Sequence, residues 1–153
     1  MSQKNTILLI EDELSMARVY EGYLANEPYE IQLATNGAQA LAMIDERTPD
    51  LIVLDLMLPD MSGHDILRHL EQQGLPCEVV VVTGDASIST AVESMRLGAS
   101  DFLVKPFTRD RLVTTLRNGI ERRTLTRIVQ TYRDEIDRTH YCGFIGRSLS
   151  MMP

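Results

Sequence analysis

The run of residues that most strongly constrains the fold is LIVLD, Leu51–Asp55. Its first four side chains are apolar with no polar alternation, which is typical of a parallel strand covered on both faces. Two similar runs, TILLI at Thr6–Ile10 and EVVVV at Glu78–Val82, lie before and after it in the chain. Together they predict a parallel sheet whose central strands are buried between two layers of helices.

Segments with helical spacing separate these runs. Two further short strands are predicted at Tyr29–Ala34 and Asp101–Val104, so that five strands alternate with helices. This alternation indicates a doubly wound α/β domain over about residues 1–122. The helices are expected at Ser15–Asn26, Gly37–Arg47, Gly63–Gln73 and Ser87–Leu97, with Asn36 as an N-cap and with Gly74 and Gly98 where helices stop.

From Thr108 onward the pattern is helical only. Either one long helix or two helices broken near Asn118-Gly119 would satisfy it. We expect a linker helix over residues 108–140 that extends beyond its own domain, and its apolar stripe then needs a partner. A second copy of the chain would offer the same stripe, made of Leu125, Ile128, Val129, Tyr132 and Ile136.

Charge is distributed unevenly along the 153 residues. Residues 1–107 hold 6 Lys and Arg against 17 Asp and Glu, a net charge of −11, whereas residues 108–153 hold 9 Arg against 5 acidic residues, a net charge of +4. The acidic part argues against DNA binding by residues 1–107, and the basic part is expected to be an arginine-rich helical linker rather than a segment that contacts DNA. No apolar run approaches the length of a membrane span, no signal peptide is evident, and the two cysteines fit neither a disulfide nor a zinc pattern. We therefore expect a cytoplasmic protein that does not contact a membrane.

Polar residues follow four of the predicted strands, namely Glu11, Asp12, Asp55, Thr83 and Lys105. Each alone has an ordinary explanation as a helix cap, a turn residue or a solvated side chain. Carboxyl ends of parallel strands meet at one edge of a sheet, so we expect the five side chains to lie together. Three crowded carboxylates require a cation, and oxygen ligands near a phosphate favour Mg²⁺. Asp55 ends the most apolar strand and is the candidate nucleophile for an acyl phosphate.

Four blocks resemble the CheY-like receiver domain of bacterial two-component response regulators. They are the Glu11-Asp12 pair, LIVLDLMLPDMSG at Leu51–Gly63, VVTG at Val81–Gly84 and DFLVKPF at Asp101–Phe107. The resemblance covers about residues 5–122 in unbroken order. It implies a flavodoxin-like fold with strand order 2-1-3-4-5.

The resemblance also implies a role for each site residue. Asp55 would accept a phosphoryl group from a histidine kinase or a histidine phosphotransfer protein. Mg²⁺, or Mn²⁺ in its place, would be held by Glu11, Asp12, Asp55 and the backbone carbonyl of Met57. Contacts with the phosphoryl group and the switch would come from Thr83, Lys105 and Phe102, with a cis peptide bond at Pro106.

The last residues of the chain show a second, shorter resemblance. Gly143–Ser148, with Met151 after it, is similar to the start of the central ATPase domain in sigma-54-dependent (NtrC-type) activators. The segments Tyr141–Gly146 and Ser87–Pro106 are similar to LuxO-like quorum-sensing regulators. Residues 141–153 are therefore expected to be the stub of a truncated ATPase domain, in a fragment of a longer protein that contacts sigma-54 RNA polymerase and DNA. A homodimer is expected through the linker helix and through the face formed by the fourth helix, fifth strand and fifth helix.

Three other classes of function fit the sequence less well. A phosphatase of the haloacid dehalogenase type needs a second Asp two residues after the first, where this chain has Met57. A stand-alone or adaptor receiver working only through protein contacts is the alternative, and a degenerate receiver is disfavoured by the complete set of site residues. We do not expect an enzyme, beyond Mg²⁺-dependent self-phosphorylation and dephosphorylation at Asp55.

Overall fold

The computed structural model describes the backbone of residues 4–143 and the side chains of residues 4–136. Strands and helices alternate along this part of the chain, as the hydrophobic pattern predicts. The strands are β1 (Asn5–Ile10), β2 (Tyr29–Ala34), β3 (Leu51–Asp55), β4 (Glu78–Thr83) and β5 (Asp101–Val104). The helices are α1 (Leu14–Tyr23), α2 (Gly37–Glu46), α3 (Gly63–Gln73), α4 (Ile88–Arg96) and α5 (Arg109–Gly143).

The five strands form one parallel sheet in the order β2-β1-β3-β4-β5. This is the predicted flavodoxin-like topology, and the prediction is confirmed. From β1 the chain first adds β2 on one side and then adds β3, β4 and β5 in turn on the other side. The order of the strands therefore reverses between β1 and β3, which lie side by side. Functional sites of such sheets form at the carboxyl ends of the strands near this reversal.

Strand β3 is buried along its whole length and contributes to both hydrophobic layers. Leu51 and Val53 pack on the side of α1 and α5, whereas Ile52 and Leu54 pack on the side of α2 and α3. Successive strand residues point to opposite faces, which is why an unbroken apolar run is needed here. Each fully buried aliphatic side chain contributes about 1.5–3 kcal/mol. The strand that ends in Asp55 is thus held rigidly from both sides.

Local signals set most of the helix ends. The Asn36 side chain accepts the Gln39 backbone N–H at 2.7 Å and caps α2, as predicted. Gly74 ends α3 in the left-handed conformation, with φ of 63°. Helix α1 ends earlier than the predicted Asn26, because its last turn tightens and Ala25 donates to the Gly22 carbonyl. The pattern of apolar residues does not reveal such a tightening.

Helix α5 is continuous, so the predicted alternative of a break near Asn118-Gly119 is wrong. Gly119 lies against the sheet, and a Cβ there would come within 2.6 Å of the Leu51 side chain. The glycine therefore allows close packing and does not interrupt the helix. Further along, Arg122 pairs with Glu78 at 3.0 Å and Arg127 pairs with Asp50. These two ion pairs join α5 to the amino ends of β4 and β3.

From Leu125 onward the apolar side chains of α5 face outward. Leu125, Ile128, Val129 and Tyr132 are between 47% and 63% exposed, and Ile136 is half-buried. The sheet does not cover the predicted stripe. Apart from the last turn of α5, the predicted ATPase stub at residues 141–153 lies outside the described residues. Within residues 4–143, none of the helices combines the length and the apolar character that crossing a membrane requires.

Gly63→Ala is expected to destabilise the fold. A Cβ at Gly63 would lie 2.7 Å from Leu56 Cα and 2.8 Å from the Asp55 carbonyl oxygen, and both of these are backbone atoms that cannot move aside cheaply. Forced overpacking of this kind costs about 1–3 kcal/mol. Urea unfolding should show the loss. Gly22→Ala is the control, since it has open space around it in α1 and should leave stability unchanged or raise it by up to about 1 kcal/mol. Equal midpoints for the two variants would contradict the proposed packing.

Candidate functional site at the carboxyl edge of the sheet

Backbone pairing brings the predicted site residues to one edge of the sheet. Glu11 directly follows β1, and its N–H donates to the Ala34 carbonyl at 3.0 Å. Asp55 and Thr83 are the last residues of β3 and β4. Lys105 directly follows β5 and donates its N–H to the Thr83 carbonyl at 2.8 Å. Each functional residue thus continues a strand of the buried sheet, which fixes its backbone position.

The side chain of Lys105 bridges two buried carboxylates. Its Nζ lies 3.1 Å from Glu11 Oε1 and 3.0 Å from Asp55 Oδ2. Glu11 is only 2% exposed and Asp55 only 5%, so water screens these charges poorly. Two charges about 4 Å apart interact by about 4 kcal/mol at an effective dielectric of 20. The ammonium group therefore holds together two carboxylates that would otherwise repel each other.

The protonation equilibria reflect this arrangement. Burial alone would lower the pKa of Lys105. The hydrogen bonds that Lys105 makes to Asp55 and Glu11, together with the negative charges of these two residues, outweigh the effect of burial and raise the pKa. Burial raises the pKa of Glu11 and the charge of Asp55 raises it further, against the Glu13 N–H and Lys105, which lower it. Lys105 is consequently a permanent cation, whereas any additional positive charge would stabilise the ionised form of Glu11.

Asp12 joins the two buried carboxylates at the mouth of the site. Glu11, Asp12 and Asp55 each offer an oxygen, and these oxygens all lie within 4.8 Å of one another. Three carboxylates with Lys105 carry a net charge of −2, which a divalent cation would neutralise. Carboxylate oxygens without sulfur or imidazole ligands suit a hard cation such as Mg²⁺ or Mn²⁺. The donor set present therefore fits the predicted metal.

Met57 belongs to the tight loop that follows β3. Its N–H donates to Asp55 Oδ1 at 2.9 Å, and its side chain is 75% exposed above the site. Gly63 closes the loop by donating to the Leu56 carbonyl at 2.8 Å. These contacts fix the second carboxylate oxygen of Asp55. The role of the Met57 carbonyl as a metal ligand stays a prediction.

The remaining predicted site residues lie on or beside β4 and β5. Thr83 is buried, and its Oγ1 accepts the Asp85 N–H at 3.1 Å. Phe102 is half-buried on β5, opposite Val81 and packed against the core. The peptide bond between Lys105 and Pro106 is cis. The arrangement brings Thr83 beside Lys105, while the roles assigned to Thr83 and Phe102 stay predictions.

Two exposed carboxylates nearby are occupied with helix ends. Asp60 accepts the N–H groups of the first two residues of α2 at 2.7 and 2.9 Å, and these hydrogen bonds lower its pKa. Asp85 accepts the Thr90 hydroxyl at 2.7 Å and the Ser87 N–H at 2.9 Å, which lower its pKa in the same way. Both carboxylates are therefore committed to organising the loops around the site.

Sequence reasoning missed one residue at this site, Tyr20 of α1. Its ring is buried and stacks on Phe107, with the ring centroids 5.3 Å apart. Burial raises the pKa of Tyr20, the charge of Lys105 lowers it, and Glu11 and Asp55 raise it, so the hydroxyl senses the site directly. A tyrosine at helical spacing between Ala17 and Leu24 has the pattern of an ordinary core residue. No signal in the sequence distinguishes it.

Comparisons with known proteins agree with this geometry. Residues 7–117 match the family of response regulator receiver domains. The chain is 39% identical over 145 residues to the regulatory protein LuxO of Vibrio cholerae, covering 94% of this chain and 30% of that protein. It is 35% identical over 136 residues to the alginate biosynthesis transcriptional regulatory protein AlgB of Pseudomonas aeruginosa, covering 89% and 30%. The chain thus spans about a third of the length of these relatives.

Solved structures give the same picture. The signal receiver domain of a putative LuxO repressor protein from Vibrio parahaemolyticus aligns with a TM-score of 0.81 and 40% identity, covering 82% of this chain and 97% of that one. NtrX from Brucella abortus, solved in complex with ATP, aligns with a TM-score of 0.77 and 34% identity, covering 84% and 29%. Both similarities extend over the five-stranded domain that carries the acidic cluster.

Asp12→Asn should weaken binding of Mg²⁺ and, in metal-free buffer, raise the free energy of unfolding by up to about 1 kcal/mol. The change removes one of three mutually repelling carboxylates and also removes a donor from the cluster. Titration with Mg²⁺ and urea unfolding in chelator measure the two effects. Glu13→Gln removes the neighbouring exposed charge, which lies outside the cluster, and is the matched control. A loss of metal-free stability on Asp12→Asn would show that the carboxylates are not crowded.

Proposed function

The chain belongs to the response regulator receiver family, and from this we propose that Asp55 is its phosphoacceptor. The observation that carries the proposal is the Lys105 ammonium held between Glu11 and Asp55 at the carboxyl edge of the sheet. One oxygen of Asp55 faces Lys105 and the other accepts the Met57 N–H. A nucleophile oriented in this way, beside a fixed positive charge, suits attack on a phosphoryl group.

The reaction transfers a phosphoryl group from a donor to a carboxylate oxygen of Asp55. A carboxylate oxygen of Asp55 forms a bond to phosphorus while the bond from phosphorus to the donor nitrogen or oxygen breaks, and the donor leaves with the electron pair. Glu11, Asp12, Asp55 and the Met57 carbonyl would hold Mg²⁺ or Mn²⁺, which would supply neutralising charge for the phosphoryl oxygens. Lys105 supplies a further positive charge and Thr83 a hydroxyl. The donor is a histidine kinase or a histidine phosphotransfer protein.

The output of phosphorylation would pass through Thr83 and Phe102. Thr83 lies at the end of β4, beside β5, and Phe102 lies on β5 two residues before Val104, the partner of Thr83 in the ladder. Movement of the hydroxyl towards a phosphoryl oxygen would leave space into which the ring can turn. Such a change alters the face formed by α4, β5 and α5. This face carries exposed apolar side chains, among them Ile88, Val92 and Val104.

We assign the whole protein to the sigma-54-dependent regulators. Support comes from the LuxO and AlgB relatives and from the similarity of residues 141–153 to the start of an ATPase domain. In this assignment residues 1–122 are the receiver, residues 108–140 the linker helix, and the remainder of the protein contacts sigma-54 RNA polymerase and DNA. The fragment itself has no catalytic activity other than turnover of its own aspartyl phosphate. The protein works in the cytoplasm, where RNA polymerase is found.

The linker helix would join two receivers. Four members of the stripe, Leu125, Val129, Tyr132 and Ile136, alternate in steps of four and three residues, which is the spacing of a coiled-coil seam. Ile128 lies next to this seam. At about 1.5–3 kcal/mol for each large apolar side chain buried, pairing two stripes favours a two-fold dimer.

Incubation with Mg²⁺ and acetyl phosphate should add one phosphoryl group, which hydroxylamine should remove. Asp55→Asn keeps the shape of the side chain but not the nucleophile, so labelling should disappear. Asp65→Asn removes an exposed carboxylate of α3 that pairs with Arg68, away from the site, and should leave labelling intact. Mass spectrometry of the intact protein measures the number of phosphoryl groups added to each variant. Equal labelling of wild type and Asp55→Asn would refute the assignment of Asp55.

Val129→Lys should shift the chain from dimer to monomer by placing charges at the seam. Thr124→Lys adds the same charge to α5 outside the stripe and should leave the dimer unchanged. Sedimentation equilibrium over a range of protein concentrations should show at least about a tenfold rise in the dissociation constant for Val129→Lys alone. If wild type is monomeric at high concentration, the linker does not dimerise this chain by itself.

A further inference from the structure

The hydroxyl of Tyr20 is the one polar group near the site that the proposed function leaves unexplained. Tyr20 is only 2% exposed, and among the described residues its Oη has no hydrogen bond of normal geometry. A buried hydroxyl without a partner destabilises the fold. Phenylalanine would fill the same space and stack on Phe107 in the same way. The hydroxyl therefore requires a reason other than packing.

The surroundings of this hydroxyl belong to the phosphoacceptor site. The charges of Lys105, Glu11 and Asp55 act on it, and the Lys105 ammonium, which alone of these groups carries N–H donors, also acts as a weak hydrogen-bond donor outside normal geometry. The Tyr20 ring also stacks on Phe107, which lies two residues after Lys105, with an interplanar angle of 21°. Tyr20 is thus linked to Lys105 in two ways. The charge of Lys105 acts on the Tyr20 hydroxyl, and the Tyr20 ring packs on the loop that carries Lys105.

The donors of Lys105 are only partly used by the carboxylates. An ammonium group has three N–H donors, of which one points to Glu11 Oε1 and one to Asp55 Oδ2. Attachment of a phosphoryl group to Asp55 removes the charge of the carboxylate and adds charged phosphoryl oxygens beside it, so we expect the ammonium group to turn towards those oxygens. A neutral oxygen beside it can accept an N–H without competing electrostatically with the phosphoryl oxygens.

We propose that Tyr20 is a positioning residue for Lys105, whose hydroxyl accepts the third N–H as the ammonium turns towards the phosphoryl group. This inference rests on the proposed phosphoacceptor function of Asp55. Tyr20 neither gives nor takes a proton in the transfer. Asp55 still forms the bond to phosphorus, the donor still leaves with the electron pair, and Tyr20 only fixes the direction of the Lys105 ammonium.

Tyr20→Phe removes the hydroxyl and keeps the ring. With Mg²⁺ and acetyl phosphate, the rate of phosphorylation should fall about tenfold, the scale of one hydrogen bond to a charged group. The urea midpoint of the unphosphorylated protein should be equal to or higher than that of wild type, because an unpaired hydroxyl is lost. Tyr23→Phe makes the same chemical change on the same helix, and it should alter neither quantity.

A spectroscopic measurement separates positioning from packing. The chain contains only two lysines, Lys4 and Lys105, so protein labelled with ¹³C,¹⁵N-lysine gives two side-chain signals, and that of exposed Lys4 is an internal reference. In the phosphorylated state the Lys105 signal of Tyr20→Phe should differ from that of wild type, whereas Tyr23→Phe should match wild type.

The outcomes distinguish the two proposals. Failure of wild type to accept phosphate would refute the phosphoacceptor function itself. If wild type is phosphorylated, an unchanged rate or an unchanged Lys105 signal in Tyr20→Phe would overturn the positioning role alone. A lowered urea midpoint would overturn it as well, because the hydroxyl would then already have a favourable partner before phosphorylation.

Discussion

The Lys105 ammonium between Glu11 and Asp55 is the contact around which this domain is organised. Two carboxylates that are nearly inaccessible to water would repel each other strongly without a cation between them. The three residues are at least 44 positions apart in the sequence, so the bridge exists only when β1, β3 and β5 end at the same edge of the sheet. The site therefore depends on the correct strand order, and its charges are compatible with the fold only in that order.

The buried strands provide the rigidity that such a site needs. Asp55, Thr83 and Lys105 are connected through the backbone, because β3 pairs with β4 and the Lys105 N–H donates to the Thr83 carbonyl. The apolar layers on both faces of β3 hold this edge in place. The stable core allows the fold to tolerate a buried polar group without a full set of hydrogen bonds, such as the Tyr20 hydroxyl. The Tyr20 hydroxyl is such a departure from ideal polar pairing beside the proposed chemistry, which is common at functional sites.

Helix α5 connects the two ends of the domain. It begins two residues after Phe107, packs on the sheet at Gly119, and is held at the opposite edge by Arg122 and Arg127. Its apolar stripe starts at Leu125, between the two ion-paired arginines, and continues beyond them. A helix is stiff over this length, so a shift in the loop that carries Lys105 can be transmitted to the exposed stripe without a hinge. The loop that carries Lys105 and the exposed apolar stripe thus belong to the two ends of one structural element.

The hydrophobic pattern predicted the five strands, the burial of the central ones and the polar residues that follow their ends, because period and strand ends are local properties of the chain. Local capping chemistry at Asn36 and Gly74 was equally predictable. Tertiary structure decided what depends on distant neighbours. Gly119 could have broken a helix, but the close approach of Leu51 makes it a packing residue within a continuous α5. Tyr20 has the spacing of a core residue, and only the folding of β5 beside β4 and of the Phe107 loop over α1 places its hydroxyl next to the Lys105 ammonium. Spacing along the chain records which face of a helix is buried, but it carries no information about which charge lies above that face.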